Sequence, residues 1–358
     1  MADQEQEIGN GSVAIQADGN VTVNTGLSPS QMRETMNYLS ELHKDFTEIA
    51  MITVNERIKD FQDRMIERFE DGEKANSESF KDPDFQIVLA QAQKAFARNG
   101  DSQVADTIVD IIAERSKKTE RDRLQITLNE AVEIASTLTV DEFAILSLCF
   151  IVRYTQKHGL INVNYFVEYI KTEIVPLLMS IPKNEFSYQF LEAQRCANLE
   201  MGSVNLVDIY SNRYGGLFSK GFTIDQLKDC LPEGKKDIFD TAVRDDNLKP
   251  LLLPCLHDRE LLQLNAISCD EFMNYSKRID LGEDERTSVS NLFKGTFMNL
   301  YEMKEILKTD CPDFETLADL WNGTSIKHLK LTSIGIAIAH SNLRKLTGFS
   351  ADLSIWID

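Results

Sequence analysis

FAILSLCFIV, residues 143–152, is the most apolar segment of the chain and decides its fold class. Thr139 and Glu142 stand before it with the spacing of a capping box, which predicts that a helix begins here. A surface helix is apolar along one stripe, whereas this one would be apolar on nearly all sides. We therefore expect this helix to form the buried centre of a helical fold.

A long helix is predicted upstream of this centre. Ser28-Pro29-Ser30-Gln31 has the residues that favour a helix start, and apolar residues then recur every three or four positions up to Asp71-Gly72. Unbroken, such a helix has about 40 residues and a length of roughly 60 Å. That length favours either a coiled-coil-like packing partner or a long spine. The apolar positions are Met32, Met36, Leu39, Phe46, Ala50, Val54, Ile58, Phe61, Met65 and Phe69.

Further helices are predicted on both sides of the central segment. Asp82-Pro83 begins a helix that ends near Asn99-Gly100, and one more helix is expected from residue 101 or 102 towards Thr137. The Gly-rich stretch 202–222 predicts a domain junction. At the other end, residues 326–331 and 352–357 alternate like strands around an apolar helix. We expect these two strands to pair as a small β-α-β element.

In the N-terminal segment, residues 9–26, apolar side chains recur at every second position, which indicates β structure. A three-residue turn at Asp18-Gly19-Asn20 places the apolar side chains on one face, which favours a hairpin over one unbroken strand. Those side chains are Val13, Ile15, Ala17, Val21 and Val23. A lone hairpin is marginal in water, so this one either docks on its own domain or pairs with other chains.

These patterns define the expected architecture. The fold class is mainly α, a multi-helix bundle with an N-terminal β-hairpin, a long first helix and a small C-terminal β-α-β element. In chain order, the expected parts are a tail and hairpin (1–26), the long helix (27–71), a central helical domain (82–201) and a C-terminal helical domain (223–358) that ends in the β-α-β element.

Composition limits the partners that the chain would bind. The net charge is −19 and the isoelectric point is near 4.8, so nucleic acid is not favoured. The N-terminus lacks the pattern of a signal peptide, and no apolar run approaches the length of a membrane helix. We therefore expect a cytoplasmic protein without a membrane partner.

No motif assigns a catalytic residue, a cofactor or a metal. Cys255, His257 and Cys269 stand close together in the sequence, but their spacing matches no familiar zinc pattern. Gly215-Gly216 lacks the residues of a phosphate-binding loop and is read as a flexible loop. Whether the protein is an enzyme stays open, with the sequence leaning against it.

Two resemblances add to this reading. Over nearly its whole length the chain resembles an uncharacterised family of bacterial proteins, which implies a bacterial origin and no particular activity. The matching segments are IQADGNVTV (15–23), DPDFQ (82–86), ARNGD (97–101), RYTQKHG (153–159), LTSIGIAIAH (331–340) and DLSIWI (352–357). The stretch Val13–Val23 is also similar to short Gly/Asn/Gln β motifs of bacterial and fungal immune signalling proteins, which assemble into amyloid-like stacks; here Asp18 interrupts the motif.

The sequence thus favours a self-associating protein-interaction module that forms a homo-oligomer, binds a protein partner and acts in bacterial antiviral defence or stress response. The residues expected to mediate self-association are Val13, Ile15, Gln16, Asn20, Val21 and Val23. The alternatives are a metal-dependent nuclease or hydrolase whose carboxylates are dispersed in the sequence, and a sensor of a nucleotide-type ligand.

Overall fold

The mainly helical fold class is confirmed by the computed structural model of the protein, which describes residues 29–70, 75–239 and 251–357. The predicted N-terminal hairpin lies outside these residues. The chain divides into two units, Met1–Glu56 and Arg57–Asp358. The long first helix is also confirmed and spans Pro29–Glu70.

The helices are numbered in chain order. They are α1 (Pro29–Glu70), α2 (Pro83–Asn99), α3 (Ser102–Ser116), α4 (Arg123–Ala135), α5 (Val140–Arg153), α6 (Val163–Tyr169), α7 (Val175–Leu178), α8 (Glu185–Ala193), α9 (Leu206–Tyr214), α10 (Ile224–Asp229), α11 (Cys269–Tyr275), α12 (Glu283–Gly295), α13 (Leu300–Leu307), α14 (Asp313–Gly323) and α15 (Ser333–Thr347). A π-helical turn, Ile170–Ile174, joins α6 to α7.

Four short strands form two antiparallel pairs within the described residues. β1 (Ala197–Leu199) pairs with β4 (Leu329–Leu331), and β2 (Leu252–Pro254) pairs with β3 (Leu262–Leu264). None of the helices in the described ranges combines the length and the apolar character that a membrane crossing requires.

Helix α5 is the buried centre that its sequence predicts. Every residue from Glu142 to Val152 is buried, and α15 packs along it. The Glu142 carboxylate accepts a hydrogen bond of 3.0 Å from the backbone N–H of Thr139, as the capping box requires. At the other end, the guanidinium of Arg213 donates to the carbonyls of Val152 and Arg153. Both ends of the buried helix are therefore satisfied.

The prediction of one helix from residue 101 to Thr137 is wrong, because the chain breaks after α3. Asp122 begins α4 by accepting a hydrogen bond from the backbone N–H of Gln125. Arg115, which is fully buried, donates to the carbonyl of Lys118 at 3.1 Å and to the Asn129 side chain at 2.7 Å. This guanidinium holds the turn between α3 and α4 together.

The predicted C-terminal β-α-β element is also wrong. Its first strand shrinks to β4, which pairs with β1 in the register Ala197↔Leu331. The second predicted strand is a 3-10 turn, Leu353–Ile355, in which Asp352 accepts a hydrogen bond from the backbone N–H of Ser354. Leu353 and Ile357 are buried whereas Ile355 is 68 % exposed, so the buried positions lie four residues apart rather than two.

Two hydrophobic cores occupy the second unit. The larger contains buried residues of the segments 61–218 and 298–357, and the smaller contains buried residues of 222–293. The chain therefore leaves the larger core and enters the smaller one within the expected junction at 202–222. It returns to the larger core before α13. The boundaries of the expected domains stay a prediction.

A close backbone approach fixes α15 against Cys196, the residue directly before β1. Thr332, which caps α15, donates its backbone N–H to the Cys196 carbonyl at 3.0 Å. A Cβ atom on Gly335 would lie 1.9 Å from that same carbonyl oxygen. Only glycine fits at this position without a movement of the backbone.

We predict that Gly335→Ala lowers the free energy of unfolding by about 1–3 kcal/mol or more, because the added methyl group forces α15 away from β1. The matched control is Gly323→Ala in α14, where an added Cβ meets nothing within 4 Å. That control should change the stability by less than about 1 kcal/mol. Chemical denaturation measures both, and equal stabilities would contradict this packing.

Candidate functional site

The part of α1 in the first unit, residues 29–56, exposes an unusual number of large apolar side chains. Six of them are between 53 % and 66 % exposed. They are Met32, Met36, Tyr38, Ile49, Met51 and Ile52. Single exposed apolar side chains are common on protein surfaces, but grouped ones mark interaction sites. We call these six the exposed apolar residues of α1.

The exposed apolar residues of α1 lie on more than one side of the helix. Met32 and Met36 are one turn apart and share a side, and so do Ile49 and Ile52. With 3.6 residues per turn, Ile49 lies about 140° around the axis from Met36. A helix with apolar side chains on several sides is normally enclosed by other helices. A single flat partner would not cover both groups.

The rest of α1, from Arg57 onward, is held within the second unit. Phe61 is fully buried, and its ring lies 5.8 Å from that of Phe96 in α2. The guanidinium of Arg57 donates to the carbonyls of Ala97 and Arg98, at 3.0 and 2.8 Å, near the end of α2. A cation at a helix C-terminus satisfies free carbonyls and opposes the helix dipole.

The densest cluster of charged residues in the described chain joins α1, α3 and α15. Asp106, Asp110 and Glu114 follow at intervals of four on α3, so they share one face. From α1, Arg64 pairs with Asp106 and Arg68 with Asp110. The two remaining cations come from α15, where Lys345 pairs with Asp106 and Arg344 pairs with both Asp110 and Glu114. We call this cluster the ionic layer.

The electrostatics of the ionic layer favour its charged state. Burial raises the pKa of Glu114, but the charges and hydrogen bonds of Arg344 and Lys117 outweigh that effect and lower the pKa below its usual value. Burial likewise lowers the pKa of Arg64, and its bonds to Asp60 and Asp106 more than restore it. Glu114 is therefore held in its ionised form, and each carboxylate of the layer lies beside at least one cation, which is the chemistry of a structural contact.

The sequence-predicted self-association residues cannot be placed among these elements. Val13, Ile15, Gln16, Asn20, Val21 and Val23 all lie outside the described residues. Their role stays a prediction.

Cys255, His257 and Cys269 each have a separate backbone partner. The Cys255 thiol donates to the Ser219 carbonyl at 3.2 Å, and the His257 ring contacts the Leu217 carbonyl at 2.7 Å. Cys269 donates to the Ser290 carbonyl at 3.7 Å. Within the ranges that the structure describes, no three His, Cys, Asp or Glu side chains form a group that could hold a metal ion.

The Gly-rich stretch is packed rather than a flexible loop. Gly215 and Gly216 are buried, and the backbone N–H of Gly216 donates to the Ile267 carbonyl at 3.0 Å. A Cβ atom on Gly216 would lie 1.9 Å from the Ala266 carbonyl oxygen. These glycines allow two backbone segments to touch, and the bonded N–H of Gly216 is not available to a phosphate.

Sequence reasoning missed the ionic layer, although its signal is present in the sequence. The four-residue spacing of Asp106, Asp110 and Glu114, and of Arg64 and Arg68, indicates one acidic face and one basic face.

The exposed apolar residues of α1 were predicted only in part. The predicted apolar pattern of this helix contains Met32 and Met36 but not Ile49, Met51 or Ile52, because these three break its periodicity.

The chain belongs to a protein family whose model matches nearly its whole length. Residues 26–357 match the model of a protein family described as ":-like", and the chain is a member of that family. The match begins at the end of the predicted hairpin segment, 9–26. No curated protein and no solved structure matches the chain.

We predict that Arg68→Met lowers the free energy of unfolding by about 1–3 kcal/mol, because Asp110 loses its partner on α1 while its side chain stays nearly buried. Lys59→Met, at an exposed position on the same helix, is the control and should change the stability by no more than about 0.5 kcal/mol. Urea denaturation compares the two variants. A loss of equal size in both would mean that the ionic layer does not hold α1.

Proposed function

We propose that this protein is a self-associating protein-interaction module, and that residues 29–56 of α1 make the contacts between chains. The observation that carries the proposal is the exposure of Met32, Met36, Tyr38, Ile49, Met51 and Ile52 on a helix without a matching apolar cover in its own described unit. The first unit would gain that cover from copies of the same helix. The expected homo-oligomer follows from this contact.

The energy available from such a contact is sufficient for association. Fully burying one large apolar side chain contributes about 1.5–3 kcal/mol, and these six are 53–66 % exposed, so covering the exposed part contributes on the order of 5–10 kcal/mol per chain. Association costs an estimated ~4–15 kcal/mol in lost freedom of motion. Since every copy in a symmetric assembly contributes its own six side chains, the gain exceeds the lower part of this range.

The distribution of the apolar groups favours an assembly of more than two helices. Met36 and Ile49 lie on different sides of α1, and one neighbouring helix would cover one of those sides. Two neighbours cover both, as in a bundle. We therefore propose a trimer or a larger ring of copies rather than a dimer.

The N-terminal β segment extends this proposal. Its alternating apolar residues, together with Gln16 and Asn20, have the composition of segments that stack between chains. Its similarity to immune signalling motifs supports a role in bacterial antiviral defence or stress response, in which assembly would be the signal. The bacterial origin itself belongs to this proposal.

The second unit is proposed to bind the protein partner. Helix α8 exposes Phe186 by 80 % and Phe190 by 37 %, one turn apart on the same side. Aromatic side chains are enriched where proteins contact one another. This pair therefore supports a protein partner for the helical body.

We predict that the double variant Met32→Glu, Met36→Glu shifts the native particle towards the monomer, because four or more like charges would meet inside the assembly. Sedimentation velocity or light scattering after gel filtration measures the mass. Ile87→Glu is the control, since Ile87 is 61 % exposed on α2 and should leave the mass unchanged. A wild-type chain that is monomeric at micromolar concentration would end the proposal.

The contribution of the β segment is measured separately. We predict that Ile15→Asp removes any fibrous or higher-order species while the particle built by α1 keeps its mass, because stacked carboxylates repel one another. Electron microscopy and thioflavin fluorescence report the first effect, and light scattering reports the second. If wild type and variant behave alike in all three, the β segment does not pair between chains.

A further inference from the structure

The last segment of the described chain, residues 348–357, covers the buried centre and is hydrogen-bonded to a histidine beneath it. Gly348 ends α15 in the left-handed conformation, with φ = 72°, and the chain then turns back over α5 and α15. Its Leu353 and Ile357 are buried, and the Trp356 indole donates to the Tyr154 carbonyl at 2.9 Å. We call residues 348–357 the C-terminal strap.

His340 of α15 lies beneath the strap and is fully buried. Its Nε2 lies 2.7 Å from the Ala351 carbonyl oxygen. Because a carbonyl can only accept, Nε2 carries the proton and donates it to the strap. In the neutral ring Nδ1 is then an acceptor, and this buried nitrogen has no hydrogen-bond partner.

The surroundings of His340 are mainly aromatic. Its ring centroid lies 6.1 Å from that of Phe150 in α5, and 5.5 and 5.9 Å from those of Phe349 and Trp356 in the strap. A proton on Nδ1 would create a charged donor with no acceptor in this setting. Such a group is costly to bury and is stabilised by exposure to water.

The charged groups around His340 do not reverse its preference for the neutral form in the buried state. Burial lowers the pKa of His340, the Ala351 hydrogen bond raises it in part, and the net pKa lies below the ordinary histidine value. Of the nearby charges, Arg344 on α15 lowers the pKa, while Glu114 and Asp110 on α3 raise it. These two carboxylates are already paired within the ionic layer.

The other two elements packed on His340 contribute one exposed carboxylate and one phenol. Asp352 in the strap accepts from the Ser354 backbone, which lowers the pKa of its carboxyl group, and the charges of Lys118 and His340 add to that effect. Directly after α5, burial raises the pKa of Tyr154, so its phenol stays neutral. Neither group offers Nδ1 an acceptor in the folded state.

We propose that His340 and the C-terminal strap form a pH-sensitive switch, in which protonation of His340 at Nδ1 releases the strap from α5 and α15. Release breaks the bond to Ala351 and uncovers the aromatic face around Phe150. The switch is independent of the self-association proposed for α1.

The direction of the response follows from proton linkage. A histidine in the released state titrates at about pH 6.5, whereas the covered histidine titrates lower. The covered state is therefore fully favoured above about pH 6.5, and it weakens as the pH falls below that value. Since one proton is taken up on release, the population of the released strap rises up to about tenfold per pH unit in this window.

Hydrogen exchange of the full chain between pH 8 and pH 5, read by mass spectrometry, tests the switch. After correction for the intrinsic pH dependence of exchange, amides of 348–357 should lose protection below about pH 6.5. Amides of the smaller core, within 222–293, serve as the internal reference and should keep theirs. Constant protection of the strap down to pH 5 would overturn the proposal.

Two variants assign the response to one histidine. His340→Gln keeps a side-chain N–H for Ala351 but cannot take up a proton, so the strap should stay protected at pH 5. His328→Gln, at an exposed ring near the Gly202 carbonyl, is the matched control and should respond like wild type. A strap that still opens in His340→Gln would overturn the proposal.

If His340→Gln does not fold, a wild-type measurement replaces it. The histidine ring signals in an NMR titration should include one that titrates below the ordinary histidine value, with a midpoint that coincides with the loss of protection. A strap that opens at a pH where no ring signal changes would overturn the assignment to His340.

Discussion

The complete burial of α5 is the constraint on which the second unit depends. Its residues from Glu142 to Val152 are covered on all sides, so neighbouring helices must supply apolar surface around the whole circumference. Helix α15 makes the most extensive contact with α5, and on another side Gly335 lets the backbone of α15 lie against the Cys196 carbonyl. The strap then closes the remaining side, where Trp356 lies 4.9 Å from Phe150.

Away from that centre, ion pairs join the helices α1, α3 and α15. The acidic face of α3 receives arginines from α1 on one side and from α15 on the other. Such a layer contributes less energy than apolar packing, but it defines which helix faces meet, since a slipped register would leave a carboxylate unpaired. The same α3 begins the polar row Thr107, Asn342 and Ser147 that crosses to α15 and α5.

Most of the helices could be predicted from the sequence, because their start and stop signals act within a few residues. Asp82 and Gly100 bound α2 as expected, with Gly100 at φ = 64°. The failures were at positions where a distant partner decides. The break after α3 depends on Arg115 contacting Asn129, and the turn at Leu353 depends on the surface of α5 and α15. The exposure of Ile49 and Ile52 could not be predicted from the sequence either, because apolar residues in a helix are ordinarily buried.

The sequence by itself determined the helical class, the central apolar helix, the long first helix and the caps, since these depend on local periodicity and on short-range hydrogen bonds. It also limited the chemistry, because no motif placed reactive groups together. Only the tertiary structure decided that β4 pairs with β1, that the carboxylates of α3 are matched by cations, and that His340 has a buried nitrogen without a partner. Those features join residues more than a hundred positions apart in several cases, and no local pattern encodes such pairs.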